Sequence, residues 1–181
     1  MKKLIIAVAM LAMGVAANAA TYKWKYDGYL NNGDGEYGAI NDTTAYLFNA
    51  ATLSQSDLLS SFYAANGAID LSAKGAVSSS SATVDGVTLS AAFEDSGTSN
   101  WTAYFAIIDG GNLYISSEKE AAYAAVGTST IGFGDQDSFS NATFAPNASY
   151  SGAGWYAVPE PTSGLLMLLG MAGLALRRRR T

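Results

Sequence analysis

Trp101-Thr102-Ala103-Tyr104-Phe105-Ala106-Ile107-Ile108 runs into Asp109-Gly110-Gly111-Asn112 and returns as Leu113-Tyr114-Ile115-Ser116. The first eight residues are rich in aromatic and β-branched side chains and read as a buried strand. The Asp-Gly-Gly-Asn tetrad supplies a tight turn, and the next four residues read as the returning strand of a hairpin.

Working outward, Thr21 to Tyr29 alternates, with Tyr22, Trp24 and Tyr26 on one face and Lys23 and Lys25 on the other. This is the pattern of a half-buried strand. Asn31-Asn32-Gly33-Asp34-Gly35 is a turn-rich loop, and Thr43 to Phe48 returns as a second strand. Beyond a serine patch at Ser78 to Ser81, Thr83 to Thr88 reads as a hairpin around Asp85-Gly86. Phe139 to Phe144 and Trp155 to Val158 are further strand candidates, and Glu118 to Ala125 fits helix or strand equally. One helix stands out, Ser54 to Ala65. Ser54 is placed to cap it and Asp57 to favour the positive end of its dipole, while Leu58, Leu59, Phe62 and Tyr63 form an apolar stripe. Asn66-Gly67 supplies the stop. Turns about every ten residues favour a mainly β fold, a single sandwich-like domain carrying one short α-helix. No fixed internal period points to a repeat architecture.

Composition narrows the chemistry. The 181 residues hold no Cys and no His. Disulfides, thiol nucleophiles, His-based triads and His zinc sites are therefore excluded. Basic residues sit at the two ends, as Lys2 and Lys3 and as Arg177, Arg178, Arg179 and Arg180. Between them four lysines face fifteen acids, a balance of −11 hidden inside the overall −5. Such a body repels nucleic acid, and no nucleic-acid role is expected.

The ends read as targeting segments. Residues 1–19 have a Lys2-Lys3 positive start, an apolar stretch from Leu4 to Val15 and the small-x-small triplet Ala17-Asn18-Ala19. This is the layout of a signal peptide cleaved between Ala19 and Ala20, and it implies the Sec translocon and signal peptidase as partners. Twelve apolar residues make a helix of only about 18 Å, against a hydrocarbon core of about 30 Å. Residues 20–157 form the exported passenger, long enough to bury a core. Residues 158–181 open with Val158-Pro159-Glu160-Pro161, where the prolines bar helix and central strand. An apolar transmembrane-type helix follows from Leu165 to Leu176, and then the four arginines. At about 2.5–3.5 kcal/mol each at the membrane centre, the arginines form a stop that stays in the cytoplasm. Both ends thus specify one topology, with the passenger outside and the Arg block inside.

Val158-Pro159-Glu160-Pro161, the apolar run and the terminal Arg cluster resemble the PEP-CTERM sorting domain, with the signal peptide as its expected companion. The resemblance implies recognition of Pro159-Glu160-Pro161 by exosortase, a multipass membrane transpeptidase that removes the tail. It also implies transient anchoring in the inner membrane, a destination at the cell surface or in the extracellular matrix, and exopolysaccharide as a neighbour. A tail anchor that is never cut has the same physical requirements and stays open at this point.

For the passenger the sequence offers weaker candidates. Asn32, Asp34 and Glu36 alternate like the start of a calcium loop, but Tyr37 stands where glycine is needed and Thr43 where a bidentate Glu belongs. Asp135 and Asp137 are weaker still. No metal site and no cofactor is expected. Paired carboxylates at Glu94 and Asp95, or Glu118 and Glu120, could in principle support glycoside hydrolysis. A serine nucleophile in Ser78 to Ser81 would need Lys74 or Lys119 as its base. None of these assembles a site, so no catalytic residue is assigned and the expectation is a non-enzyme. Eleven Tyr and three Trp leave room for a carbohydrate-binding or adhesive face, with Trp101 and Tyr104 as candidate contacts.

Overall fold

The computed structural model describes residues 19–27, 43–81, 88–133 and 143–158. In chain order they form β1 (Ala20–Asp27), β2 (Thr44–Asn49), α1 (Gln55–Ala64), a 3-10 turn (Leu71–Lys74), β3 (Ser78–Ser81), β4 (Thr88–Asp95), β5 (Trp101–Asp109), β6 (Asn112–Ile115), β7 (Lys119–Ala121), β8 (Thr128–Phe133), β9 (Thr143–Phe144) and β10 (Gly154–Ala157). The fold is mainly β. A smaller sheet has the order β4-β1-β8, and a larger one the order β3-β2-β5-β6-β10-β9, with β7 also paired to β5.

β1 does what its alternation dictates. Tyr22, Trp24 and Tyr26 are buried between the sheets, while Lys23 and Lys25 lie exposed on the outer face. It pairs antiparallel with β4, Ala20 opposite Asp95, and parallel with β8, Trp24 opposite Ile131.

β5 is the spine. Ala103, Phe105 and Ile107 face the inter-sheet core, whereas Tyr104 and Ala106 face a second core closed by Leu58, Leu59 and Phe62 of α1. A strand covered on both faces reads as a continuous apolar run, without alternation. Phe105 lies within 5.0–5.9 Å, centroid to centroid, of Trp24, Tyr26, Tyr114 and Phe133. Such ring pairs contribute about 0.5–1.5 kcal/mol each beyond their buried area. The hairpin forms as its turn demands, with Gly110 (φ 54°) and Gly111 (φ 81°) left-handed and Asp109 opposite Asn112.

α1 also follows the reading. Ser54 Oγ accepts the Asp57 N–H at 3.1 Å. At the other end Asn66 N–H donates to Tyr63 O and Gly67 N–H to Phe62 O, both at 3.0 Å. Asn66 (φ 50°) and Gly67 (φ 82°) take the left-handed conformations that this pair of bonds requires.

The ambiguous Glu118–Ala125 segment holds β7. A break at Ser116 separates β7 from β6, and the Ser116 side chain repairs it. Its Oγ accepts the Phe105 N–H and its own N–H donates to Phe105 O, both at 2.9 Å. Gln55 Nε2 of α1 donates to Ser116 O at 2.6 Å, so the two buried polar residues satisfy each other.

Two strands lie where the sequence signals none, β8 and the serine strand β3. β3 closes one side of the sandwich. Trp24 Nε1 donates to Ser78 Oγ at 3.1 Å, and the Ser90 N–H of β4 donates to Ser80 Oγ at 3.0 Å. Short hydroxyl side chains let the edge of one sheet approach the other and link to it. The Asp85-Gly86 turn lies outside the described residues, and the strands on either side of it, β3 and β4, belong to different sheets. The loop expected at Asn31–Gly35, most of Phe139–Phe144 and the helices expected at the two termini also lie outside them. Among the described residues no helix is long and apolar enough to cross a membrane.

Candidate functional site

The last strand among the described residues, β10, leads directly into the sorting segment. β10 is an interior strand, antiparallel to β6 and parallel to β9. Its successive side chains fill different cores. Trp155 enters the inter-sheet core, edge-on to Tyr114 at 5.3 Å, and Tyr156 enters the helix-side core. The Tyr156 hydroxyl donates to Gly152 O at 2.7 Å and accepts the Ser151 N–H at 3.2 Å. Ala157 stands opposite Asn112.

Val158 is half-buried and packs on the helix-side core. A Cβ placed on Gly67 would come within 3.3 Å of Val158 Cγ2 and 3.4 Å of Gly111 O. Val158 therefore sits in a notch between the stop of α1 and the β5–β6 turn, both of which depend on glycine at positive φ. Pro159, Glu160, Pro161 and Arg177 to Arg180 lie outside the described residues. At the other terminus Ala19 is exposed, and Ala20 is the first residue of β1 and buried.

The passenger candidates fare unevenly. Glu94 and Asp95 are neighbours on β4, so their side chains leave opposite faces of the sheet: Glu94 is exposed and Asp95 half-buried. The Asp95 carboxylate accepts the Gly97 N–H at 3.2 Å. Glu118 is exposed in the break before β7, and Glu120 accepts from Asn100 Nδ2 across the β5–β7 pair. The Ser78 and Ser80 hydroxyls are occupied in closing the sandwich. Among the described residues no three acids gather to hold a metal. The calcium-like Asn32, Asp34 and Glu36, and Asp135 with Asp137, lie outside them.

Pairing Trp101 with Tyr104 as glycan contacts needs correction. Three positions apart on one strand, they face opposite sides of the sheet. Tyr104 is fully buried and its hydroxyl donates to Leu53 O at 3.0 Å. Burial, with Glu118 and Asp57 nearby, pushes its ionisation well above the usual phenol range. Trp101 alone reaches solvent, at the open end of the sandwich.

Neither a curated protein nor a solved structure matches this chain. The stretch that leaves β10 at Ala157, passes the Val158 notch and runs to Arg180 does match a family model: residues 157–180 are a PEP-CTERM protein-sorting motif.

Proposed function

We propose that this is a non-enzymatic envelope protein, delivered across the inner membrane in three steps. The Sec translocon exports it and signal peptidase cuts between Ala19 and Ala20. The tail then holds it, with Arg177 to Arg180 on the cytoplasmic side. An exosortase-type transpeptidase finally cuts near Pro159-Glu160-Pro161 and passes the body to the cell surface or an exopolysaccharide matrix.

One observation carries this reading. β10, the last strand among the described residues, ends at Ala157, and the matched motif starts at that residue. A cut beyond Val158 removes none of the described strands, whereas a cut before Gly154 would take an interior strand and both Trp155 and Tyr156 from their cores. The N-terminal end agrees, since β1 begins at Ala20, so removal of residues 1–19 leaves the strand whole.

Intact-mass measurement of the surface-released protein tests the scheme, comparing a host with an exosortase and the same host lacking it. The expected product begins at Ala20 and ends between Val158 and Pro161 only when the exosortase is present. A released product that begins at Met1 or keeps Leu165 to Arg180 would refute it.

A further inference from the structure

At the end of the sandwich where β1 and β5 start and β2 and β4 finish, a cavity of about 200 Å³ is lined by Asn49, Val77, Phe93, Glu94, Asp95 and Trp101. Its wall is built on braced rings. Fully buried Tyr22 stacks on Phe93 at 5.4 Å and meets Trp101 edge-on at 5.8 Å, while Phe93 and Trp101 are 6.0 Å apart. Val77 adds an apolar rim that is 39% exposed. Asp95, half-buried on the same face of β4 as Phe93, and Asn49 complete the lining, while the exposed Glu94 side chain leaves the other face.

Two donors in this ring cluster have no acceptor. Tyr22 Oη and Trp101 Nε1 are both buried and without a hydrogen-bond partner among the described residues. A buried donor left unpaired costs about 1–3 kcal/mol, and native structures retain few of them without a reason. These two atoms are sealed from solvent, and the cavity itself offers the Phe93 and Trp101 rings, the Asp95 carboxylate and the Asn49 amide. The complementary ligand has an apolar face and a rim of hydroxyls, which is the chemistry of a sugar ring.

We propose that this cavity is a subsite for a single neutral or amino-sugar ring of a glycan. Size and charge set the class. The volume falls below the roughly 300–1,000 Å³ of pockets that enclose drug-sized ligands, so one ring enters and the rest of the chain stays outside. The ionisable side chain on the cavity face of β4 is the acid Asp95, which attracts an ammonium and repels a uronate or sulfate.

The position of the cavity fits a surface role. Trp101 opens β5 at the cavity, and the strand ends at the Gly110-Gly111 turn, whose Gly111 carbonyl borders Gly67 together with Val158. Nine residues of strand separate the two by about 26 Å. A body tethered through Val158 therefore presents the cavity away from the membrane. Only this orientation rests on the sorting reading; binding itself does not.

The test is calorimetric titration of the purified full-length chain in mild detergent. The probes are three sets of short oligosaccharides of equal length: neutral hexose, glucosamine and uronic acid. Saturable binding of the neutral or glucosamine set, with Kd in the millimolar range or tighter, is expected, together with no binding of the uronic set. Trp101→Ala should abolish it. Asp95→Asn, which keeps the side-chain shape, should weaken glucosamine binding at least tenfold while leaving the melting temperature near that of the parent. Flat traces for both neutral and glucosamine sets up to ~10 mM, preference for uronic acids, or equal affinity in folded Asp95→Asn would each overturn the proposal. The parent titration decides even if Trp101→Ala fails to fold. The mass measurement on the sorted protein is untouched by any of these results.

Discussion

Gly67 and Gly75 hold nearly the same backbone conformation, φ 82° and 79°, in different surroundings. An added Cβ at Gly75 meets nothing within 4 Å, whereas at Gly67 it reaches Val158 Cγ2 at 3.3 Å and Gly111 O at 3.4 Å. Alanine at either site is forced into the left-handed region, at about 1–2 kcal/mol. At Gly67 it also overpacks the notch, which typically adds about 1–3 kcal/mol when neighbours cannot yield. The Gly111 carbonyl belongs to a two-residue turn and cannot retreat, so the strain falls on Val158, the last residue before Pro159. Gly75→Ala should therefore destabilise by about 1–2 kcal/mol and Gly67→Ala by about 2–5 kcal/mol. Urea unfolding of the full-length chain in detergent, followed by tryptophan fluorescence, measures both. Val158→Ala removes the crowded methyls, so the double variant Gly67→Ala/Val158→Ala should lose less than the sum of its singles, a coupling of at least about 0.5 kcal/mol. If Gly67→Ala proves no worse than Gly75→Ala, or if the two changes simply add, Val158 is not seated where the notch places it. The link between folded body and sorting motif would then fail.

Two further outcomes follow from polar groups elsewhere in the fold. Ser116→Ala strips the acceptor from the buried Phe105 N–H and should destabilise by about 1–3 kcal/mol. Ser79→Ala, exposed on the same larger sheet, should change little, and urea midpoints for the pair check the contrast. Stability should be level from about pH 6 to 9, because no His is present to titrate there, and should fall above about pH 10. Burial raises the phenol ionisation of Tyr104 and Tyr150 above the ordinary value of 10.0. In that range the unfolded chain sheds these protons while the native state keeps them, so stability drains away as pH rises. Melting temperatures across the range test this, and an alkaline stability equal to that at pH 8 would contradict it.

The legible parts of the chain are those whose local pattern and tertiary environment agree. Tyr22-Lys23-Trp24-Lys25-Tyr26 alternates because β1 has one covered face. Trp101–Ile108 does not alternate because β5 has two. Ser54, Asp57 and Asn66-Gly67 mark the ends of α1 through short-range bonds that need no distant partner. β3 was illegible for the opposite reason. Four serines have little intrinsic preference for a strand, and they form one because Trp24, 54 positions earlier in the chain, and Ser90 on the other sheet bond to them. β8 shares the problem, since it is held by a parallel pairing with β1 across a hundred residues of chain. The sorting segment was readable in full as sequence, because a proline-flanked triplet, an apolar run and an arginine block act without a fold. The cavity was only half readable. The sequence marks Glu94 and Asp95 as a carboxylate pair and Trp101 with Tyr104 as glycan contacts, but only the ladder register, with Ala20 opposite Asp95, brings the start of β1 and the end of β4 to one mouth with β5.

The position of β10 adds a constraint on timing. Its partners are β6, made about forty residues earlier, and β9, so the strand nearest the tail lies inside the larger sheet, not at its edge. Both cores lack a large aromatic until it arrives, Trp155 in one and Tyr156 in the other. On the proposed export route, folding of the body therefore cannot finish until the residues immediately before the sorting motif have left the translocon. By then the apolar run is next in line to enter the membrane. At full stretch, the seven-residue step from Val158 to Leu165 spans at most about 25 Å. On that route a tail-anchored body completes its fold within this reach of the bilayer. A transpeptidase acting at Pro159-Glu160-Pro161 would then work directly beneath a finished domain. Docking of Val158 is the step that separates a chain still folding from one ready to be cut.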